Sequence, residues 1–534
     1  MAATLGMSTG VRVACAALYL GVTVLAFPHR LGERVLDLGL LLAWLSPVAL
    51  LLAVRGLDAR RAAWLGFALG TLAHAGIWHW IWVVTVRYGH APGWVGVGAP
   101  LLLATWPGLF TAAFAAGSVA LGRRRPLSPF ALAALWTALD HGRGTWLTGW
   151  PWGTLGYAQH QNEWLLGLAP YGGVYALSFA SVLGGASLLE WALRKEPGRS
   201  GARAAAGLAI LAALHLAGAL AREPAKPGAR RIRVAVLQGN VAQDVKWTPA
   251  WAERTLGIYE RLTREAAGRG AEVVVWPETA VPGAPDGDPA LEARLAGLAR
   301  ETGAELVVGA VGLRLRGPDE YPDLFDSAFV YRPDGVRLDR YDKSHLVPFG
   351  EYLPFRALLG RVIRAVATGA AGRDVSAGPG PRTILLPARA NGEPDVPAGV
   401  PICYELLFPD LVRRFAGSGA QVLLAITNDA WYGRTGAPHQ FLAITALRSA
   451  ETGTWTARAA NTGVSALIDA RGMVREQTRI FEEALLVGDV ALRDAERRPT
   501  FYARYGDLFA YACWAASAAL AALAWRARRS GARA

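Results

Sequence analysis

The chain has 534 residues and a net charge of +13; 53% of its residues are hydrophobic and 18% are charged. Soluble domains contain about a quarter charged residues, so this composition excludes a purely soluble protein and favours a membrane protein with a soluble part. The arginines cluster between apolar segments, which membrane topology explains better than nucleic-acid binding does. The cysteines Cys15, Cys403 and Cys513 form an odd set, and no disulfide framework is expected.

Apolar segments of membrane-spanning length recur along the first part of the chain and once near its C-terminus. The first segment is interpreted as an uncleaved helix, because no small-residue cleavage site follows it and further spans do. The fifth segment is short and ends in Asp140-His141. The sequence predicts about eight spans, at roughly 11–27, 36–54, 62–84, 94–121, 127–141, 165–193, 204–221 and 508–525.

The placement of lysine and arginine predicts the orientation in the membrane, because cytoplasmic loops are enriched in these residues. The loops after the second, fourth, sixth and last spans carry the basic clusters, which are Arg55, Arg60, Arg61, Arg123, Arg124, Arg125, Arg194, Lys195, Arg199, Arg203, Arg526, Arg528, Arg529 and Arg533. Both termini are then cytoplasmic. We divide the chain into a transmembrane domain of about seven helices (1–227), an extracytoplasmic domain (228–500), and a C-terminal helix with a cytoplasmic tail (501–534).

The extracytoplasmic segment alternates predicted strands with predicted helices. The strands are Arg233–Gln238, Glu272–Trp276, Glu305–Ala310, Ser327–Tyr331, Gly335–Tyr341, Gln421–Thr427, Trp455–Ala459 and Ser465–Asp469. The helices lie at about 249–268, 289–302 and 439–452, with another beginning near Pro409. Pro333-Asp334-Gly335 is a hairpin signal. This order predicts a layered α/β sandwich.

An insertion at 353–380 combines apolar residues with interleaved arginines and ends in a glycine-rich stretch. Basic amphipathic helices of this kind lie in membrane interfaces. A glycine-rich hinge would let such a helix move as a lid. The alternative is a helix packed on the core of its own domain.

Cys403 is the one cysteine outside an apolar span, in Pro401-Ile402-Cys403-Tyr404-Glu405. A thiol attacks esters and amides as the thiolate, so it needs a base or a positive environment. The sequence places Cys403 where a strand ends and a helix begins, and a helix N-terminus there would stabilise the thiolate. A buried, inert cysteine is the alternative.

Two further ionisable residues follow predicted strands. Glu278 comes after Val273–Pro277, and a carboxylate beside Trp276 could act as a general base. Lys343 follows Gly335–Tyr341, and a fixed ammonium there could stabilise an oxyanion. A helix-start carboxylate and a solvated lysine are the alternatives. Glu351 and Glu405 could orient Lys343 or be satisfied locally.

Taken together, these three segments resemble the nitrilase superfamily, whose members use a Glu-Lys-Cys triad on an αββα sandwich. The spans on both sides of the domain are similar to its membrane-embedded branch, the apolipoprotein N-acyltransferases. The resemblance implies that Glu278 is the general base, Lys343 the oxyanion stabiliser and Cys403 the nucleophile. It implies supporting roles for Trp247, Glu351, Tyr404, Glu405, Trp431 and Tyr432, and it matches the loop GWPWGTLGYAQHQ around Trp150, Pro151 and Trp152.

The reaction that the resemblance implies has two steps, and each of its substrates is held in the bilayer by acyl chains. Cys403 takes the sn-1 acyl chain of a phospholipid as a thioester, and the α-amino group of a diacylglyceryl-cysteine at an apolipoprotein N-terminus then accepts it. The implied setting is the bacterial inner membrane, with a monomer as the default. No metal cluster, phosphate loop or cofactor motif is found, and His345 and His439 are interpreted as structural.

Two alternatives remain open at the level of sequence. A membrane-tethered amidohydrolase would use the same triad with water as the acceptor, although it leaves the many spans unexplained. A lipid-binding or scaffold protein would carry the domain without activity. In that case replacing Cys403 would change nothing in lipid handling.

Overall fold

The computed structural model describes residues 7–122, 126–193, 199–221, 230–246, 248–315, 317, 321–354, 374–388 and 393–531. Its N-terminal part is helical, apart from a two-stranded hairpin formed by β1 (His29–Leu31) and β2 (Arg34–Leu36). The α-helices there are Thr9–Leu25, Gly39–Leu42, Leu45–Val54, Ala59–Ile77, Gly93–Leu121, Pro129–Thr145, Glu163–Leu166, Ala169–Leu193 and Arg199–Leu220. A π-helical turn follows at Val83–Tyr88 and a 3₁₀ turn at Leu155–Gln159.

Four helices among the described residues are long and apolar enough to cross a membrane, namely Gly93–Leu121, Ala169–Leu193, Gly201–Leu220 and Leu508–Ala527. Thr9–Leu25 and Leu45–Val54 are apolar but shorter. The predicted span at 36–54 is interrupted between Leu42 and Leu45, and the span at 62–84 ends as an α-helix at Ile77. The count of about eight spans therefore stays a prediction.

The helix Ala169–Leu193 is kinked at Gly173, whose φ of 61° is in the left-handed region. A Cβ at this position would lie 2.6 Å from the ring of Tyr502. Glycine is needed here because only a residue without a side chain tolerates both the dihedral and the contact. At the kink, Tyr502 from the C-terminal part of the chain packs against this N-terminal helix.

Two six-stranded sheets form the domain between these helical parts. The strands are β3 (Arg231–Gln238), β4 (Val273–Val275), β5 (Glu305–Arg314), β6 (Asp323–Tyr331), β7 (Arg337–Asp342), β8 (Thr383–Leu386), β9 (Val396–Gly399), β10 (Val422–Thr427), β11 (Thr456–Ala460), β12 (Ala466–Ile468), β13 (Val474–Gln477) and β14 (Ala484–Ala491). The first sheet has the order β14-β3-β4-β5-β6-β7, and the second has the order β13-β12-β11-β10-β9-β8.

Each sheet is covered on its outer face by helices. The domain's α-helices are Pro249–Gly268, Pro289–Thr302, Pro409–Gly417 and Ala437–Thr452, and Phe501–Tyr505 leads into the terminal helix Leu508–Gly531. Alternation along β3 shows the layering: Ala235 and Leu237 pack under the outer helices, whereas Val234 and Val236 belong to the core between the sheets. The predicted αββα sandwich is confirmed.

The predicted helices and the central strands of the domain agree with the structure, but four strands were not predicted. These are β8, β9, β13 and β14. β8, β9 and β13 have only four residues each, β9 contains Pro397, and β14 is an edge strand with mixed exposure, so none carries a clear strand pattern. β14 completes the first sheet by pairing antiparallel with β3, from Ala484 opposite Gln238 to Ala491 opposite Arg231.

Candidate active site

Three chain segments that leave strands of the two sheets bring Glu278, Lys343 and Cys403 together. Glu278 follows β4 and Lys343 follows β7, and both belong to the first sheet. Cys403 follows β9 of the second sheet. Lys343 Nζ donates a hydrogen bond to Glu278 Oε1 at 3.2 Å, and the charges of both residues act on the Cys403 thiol. The predicted triad therefore meets between the sheets.

The main chain is shaped to present these side chains. Cys403 has a φ of 47°, a strained value for a residue with a side chain. It begins a 3₁₀ turn, Cys403–Leu407, that leads into the helix from Pro409. On the neighbouring strand, Gly309 leaves room for the Glu278 segment, since a Cβ there would lie 2.8 Å from Glu278 Cα.

The electrostatics at Cys403 differ from the sequence expectation of a stabilised thiolate. The side chain is buried, and burial together with the Glu278 carboxylate raises the pKa of the thiol well above its usual value, although Lys343 opposes this. Only a five-residue 3₁₀ turn begins at Cys403, so it adds little stabilisation to an anion. The resting form is the thiol, and its proton must be taken up by a base during attack.

Glu278 is suited to accept that proton. Burial acts to raise the pKa of its carboxyl group, but Lys343 and hydrogen bonds outweigh burial and hold the pKa below its usual value. The main-chain N–H of Asn428 donates to Glu278 Oε2 at 2.6 Å. Glu278 is therefore ionised and positioned at neutral pH.

Lys343 lies at the centre of three carboxylates. Its Nζ donates to Glu351 at 2.5 Å and to Glu278 and Asp326 at 3.2 Å each, and its side chain is fully buried. Burial opposes the charge, but the three carboxylates raise the pKa of Lys343 well above its usual range. An ammonium has three N–H donors, and all three are used here.

The same carboxylates could in principle hold a metal ion, because oxygens of Glu278, Asp326 and Glu351 lie within 4.8 Å of one another. The Lys343 ammonium hydrogen-bonds to each of them and so occupies the position that a cation would take. One oxygen of each carboxylate therefore already accepts from a side chain of the protein itself.

Two of the residues near the triad were missed by the sequence analysis. Asp326 lies on β6 and contacts Lys343, and its only signal in the sequence is a carboxylate within an otherwise buried strand. Lys246 donates to Thr279 Oγ1 at 2.7 Å and to the main-chain oxygen of Glu278 at 3.4 Å. Burial lowers the pKa of Lys246 to about 8. Asp326 shares the Lys343 ammonium with Glu278, and Lys246 fixes the main chain at Glu278.

Glu405 connects the Cys403 turn to the Lys343 segment. Its carboxylate accepts hydrogen bonds from the N–H of Ile402 and of Ser344, each at 2.8 Å, and from the hydroxyl of Tyr341 at 2.9 Å. These contacts keep the two segments in register across the gap between the sheets. Glu405 thus has a structural role and links the two segments. Glu351, in contrast, contacts Lys343 directly.

Aromatic side chains connect the site to the N-terminal helices. The ring of Tyr432 contacts Trp80 and Trp152, with ring centres 4.8 Å and 5.7 Å away. The ring of Tyr404 lies 6.0 Å from that of Trp150. Further contacts pair Trp431 with Tyr88, Tyr404 with His345, and the Trp152 indole N–H with Gln440.

The loop around Trp150 therefore packs on the catalytic domain. Trp247 and most of the predicted lid, residues 355–373, lie outside the described residues.

Comparisons with known proteins cover both parts of the chain. Residues 233–499 match the carbon-nitrogen hydrolase family, and residues 20–187 match the apolipoprotein N-acyltransferase N-terminal domain. The chain is 39% identical to an apolipoprotein N-acyltransferase of Geobacter metallireducens over 91% of each chain. It is 35% identical to one of Pseudomonas aeruginosa, strain LESB58, over 84% of this chain and 85% of that protein.

Among solved structures, the chain resembles a mutant of the Nesterenkonia AN1 amidase from the nitrilase superfamily. The identity is 20% and the TM-score is 0.38, over 55% of this chain and 100% of that chain.

Proposed function

Since the chain belongs to the apolipoprotein N-acyltransferase family, we propose that this membrane enzyme moves an acyl chain from the sn-1 position of a phospholipid to the α-amino group of a diacylglyceryl-cysteine at an apolipoprotein N-terminus. The observation that carries the proposal is the meeting of Glu278 with Lys343 and Cys403 beside aromatic rings of the membrane helices. A site in this place can be reached by substrates that remain anchored in a bilayer.

The first step forms an acyl-enzyme. Cys403 Sγ attacks the ester carbonyl while Glu278 takes up the thiol proton, and the charge of Lys343 stabilises the oxyanion that develops. As the tetrahedral intermediate collapses, the glyceryl oxygen leaves with the proton that Glu278 returns. The products are a Cys403 thioester and a lysophospholipid.

The second step returns the enzyme to its starting form. The α-amino group of the acceptor attacks the thioester carbonyl and loses a proton to Glu278. The Cys403 sulfur then leaves and regains that proton, and the acyl chain ends as an amide. Splitting the transfer in this way replaces one difficult reaction with two easier ones.

The topology belongs to the same proposal. We assign residues 1–227 and 501–534 to the membrane parts, with both termini in the cytoplasm, and 228–500 to a periplasmic catalytic domain of a bacterial inner-membrane protein. The family match over residues 233–499 supports this division, and the enzyme is proposed to act as a monomer. The Trp150 loop, packed against the catalytic domain, is then on the periplasmic side.

The test uses the full-length enzyme in vesicles that contain phospholipid labelled in the sn-1 chain, with a diacylglyceryl-cysteine peptide as acceptor. The wild type should produce labelled N-acyl peptide and lysophospholipid, and Cys403→Ala should produce neither. Cys15→Ala is the matched control, because Cys15 lies in the helix Thr9–Leu25, and it should keep full activity. Release of labelled fatty acid without N-acylation would show an amidohydrolase-type reaction with water and refute the transferase.

A further inference from the structure

We propose that Asp326 carries a proton in the resting enzyme and donates a hydrogen bond to Glu278, acting as a positioning residue that keeps the base ionised. The inference rests on the proposed function in one respect, which is that Glu278 acts as the base. Asp326 would then be a fourth titratable residue of the site, beside Glu278, Lys343 and Cys403.

Charge balance around Lys343 favours a retained proton, because the other cation that faces the carboxylates, Lys246, donates to Thr279 Oγ1 and to the main-chain oxygen of Glu278. Glu278, Asp326 and Glu351 all contact the single ammonium of Lys343, and their oxygens lie within 4.8 Å of one another. The side chains of Glu278 and Asp326 are less than a tenth exposed, so water screens their repulsion poorly. Carboxylates crowded in this way do not all ionise, and one of them keeps its proton.

The geometry around Lys343 points to the pair that shares this proton. Glu278 Oε1 and Asp326 Oδ2 each accept from Lys343 Nζ at 3.2 Å, and oxygens of the two carboxyl groups lie within 4.8 Å of each other. Two carboxyl groups can be linked by a hydrogen bond only when one of them carries the hydrogen, because an ionised carboxylate is solely an acceptor. A hydrogen bond between this pair therefore places the proton on either Asp326 or Glu278.

The other donors decide between the two. Glu278 accepts from Lys343 through Oε1 and from the Asn428 N–H through Oε2. Asp326 accepts from Lys343 through Oδ2, whereas its buried Oδ1 has no N–H or O–H donor within the described part of the chain. Donors stabilise the ionised form of the group that they contact. The proton accordingly belongs on Asp326, and Glu278 keeps its charge.

The titration of the surrounding groups agrees with this assignment. Burial and the neighbouring Glu278 raise the pKa of Asp326 well above its usual value, whereas the pKa of Glu278 is lowered. The charged and titratable groups that face the pair are Lys343 and Glu351 from the segment after β7, Cys403 from the segment after β9, and Lys246 from the segment after β3. Burial also raises the pKa of Glu351, which accepts from the Val347 N–H as well as from Lys343.

Comparing Asp326→Asn with Asp326→Ala tests whether Asp326 acts as a neutral hydrogen-bond donor to Glu278. In Asp326→Asn, the amide N–H replaces the carboxyl O–H without adding or removing charge, so the pH dependence of Cys403 reactivity should match that of the wild type. In Asp326→Ala, Glu278 loses a donor and its pKa should rise, which moves the acid limb of the profile up by about one pH unit. Asp323→Asn on the same strand is the matched control, because Asp323 pairs with Arg314 outside the triad.

Two rates are measured on the full-length enzyme between about pH 2.5 and pH 7, which covers the usual carboxyl range and the region below it. One is the rate of acyl-enzyme formation from phospholipid. The other is alkylation of Cys403 by iodoacetamide, in a Cys15→Ala, Cys513→Ala background so that only this thiol reacts. Alkylation needs no phospholipid, so failure of acyl transfer in the wild type refutes the proposed function and leaves the Asp326 result readable.

A wild-type profile in Asp326→Asn with a shifted acid limb in Asp326→Ala supports the inference. A downward shift of the acid limb in Asp326→Asn would overturn it, because that variant would then have removed a negative charge. An unshifted profile in Asp326→Ala would overturn it as well. Failure of Asp326→Asn to fold also counts against it, since asparagine is the isostere of the neutral acid.

Discussion

Two regions of this enzyme contain buried charges whose balance differs. Where the catalytic domain packs on the N-terminal helices, two arginines each pair with one carboxylate: Arg143 contacts Asp140 at 2.7 Å and Arg448 contacts Glu451 at 3.0 Å. In the catalytic site, the single ammonium of Lys343 contacts three carboxylates. A paired charge is balanced by one partner, whereas an excess of carboxylates over the ammonium leaves a proton to be retained.

The paired charges also hold main-chain segments in place. Asp140 accepts from the N–H of Leu155 and from the hydroxyl of Ser178, and Arg143 donates to the main-chain oxygen of Trp152. These contacts fix the loop that carries Trp150 and Trp152 toward the site. Charge at the domain packing therefore supports structure, and charge around Lys343 supports chemistry.

The largest effect is expected at the nucleophile. Cys403→Ser should reduce N-acyl transfer by about 10⁴-fold or more, because a serine hydroxyl is a far weaker nucleophile with this base and the three groups act as a unit. The thermal unfolding midpoint should change little. Transfer assays with the labelled vesicles check the rate, and retained activity in Cys403→Ser would remove the thiol from the mechanism.

The second largest effect on transfer is expected at the general base, Glu278. Glu278→Gln keeps the shape of the side chain but cannot take up a proton, so transfer should fall by about 10³-fold. Because the pKa of Glu278 lies below its usual value, the wild type should keep its activity as the pH falls to the usual glutamate range and lose it only below that range.

Removing one of three crowded carboxylates should leave the unfolding temperature of Glu278→Gln equal to that of the wild type or higher. If Glu278→Gln unfolded at a lower temperature than the wild type but kept the wild-type rate of transfer, the contrast between the two regions would be reversed.

The paired charges should respond in the opposite way. Arg448→Met leaves Glu451 buried without its partner and should cost about 3 kcal/mol of stability. Transfer per folded molecule should be nearly unchanged. The double variant Arg448→Met, Glu451→Gln should recover part of the loss, because no uncompensated charge remains. Thermal unfolding of the three proteins in detergent decides this, and a double variant no more stable than the single one would refute the pairing argument.

The smallest effect is expected at the aromatic contact between the domains. Tyr432→Phe keeps the ring against Trp80 and Trp152 and should change transfer by less than about threefold, whereas Tyr432→Ala should lose roughly tenfold with the ring contacts. Transfer assays at matched enzyme concentration compare the two. An equal loss in both variants would assign the role to the hydroxyl.

The part of the site that could be predicted is the part that follows strong strand patterns. Glu278 and Lys343 come directly after apolar or alternating runs, so their positions at strand ends were visible, and the helices Pro249–Gly268 and Pro289–Thr302 followed from their periodicity. Asp326 was not found, because a single carboxylate in a strand does not reveal which side chains it faces across a sheet.

The contacts between the domains were also hidden. The rings of Tyr88 and Trp431 lie far apart in the sequence, and their contact depends on how whole domains pack. The expectation of a stabilised thiolate at Cys403 was wrong for the same reason. Burial raises the pKa of the thiol, and this burial comes from tertiary packing and not from the local turn.

The most direct test of the central claim is the intact mass of the full-length enzyme after exposure to phospholipid alone. Without an acceptor amine, the thioester should accumulate, and the wild-type mass should increase by one acyl chain attached at Cys403. Cys403→Ala should show no increase, and Cys15→Ala should behave as the wild type does. An unmodified wild-type enzyme, or an equal increase in Cys403→Ala, would contradict the account.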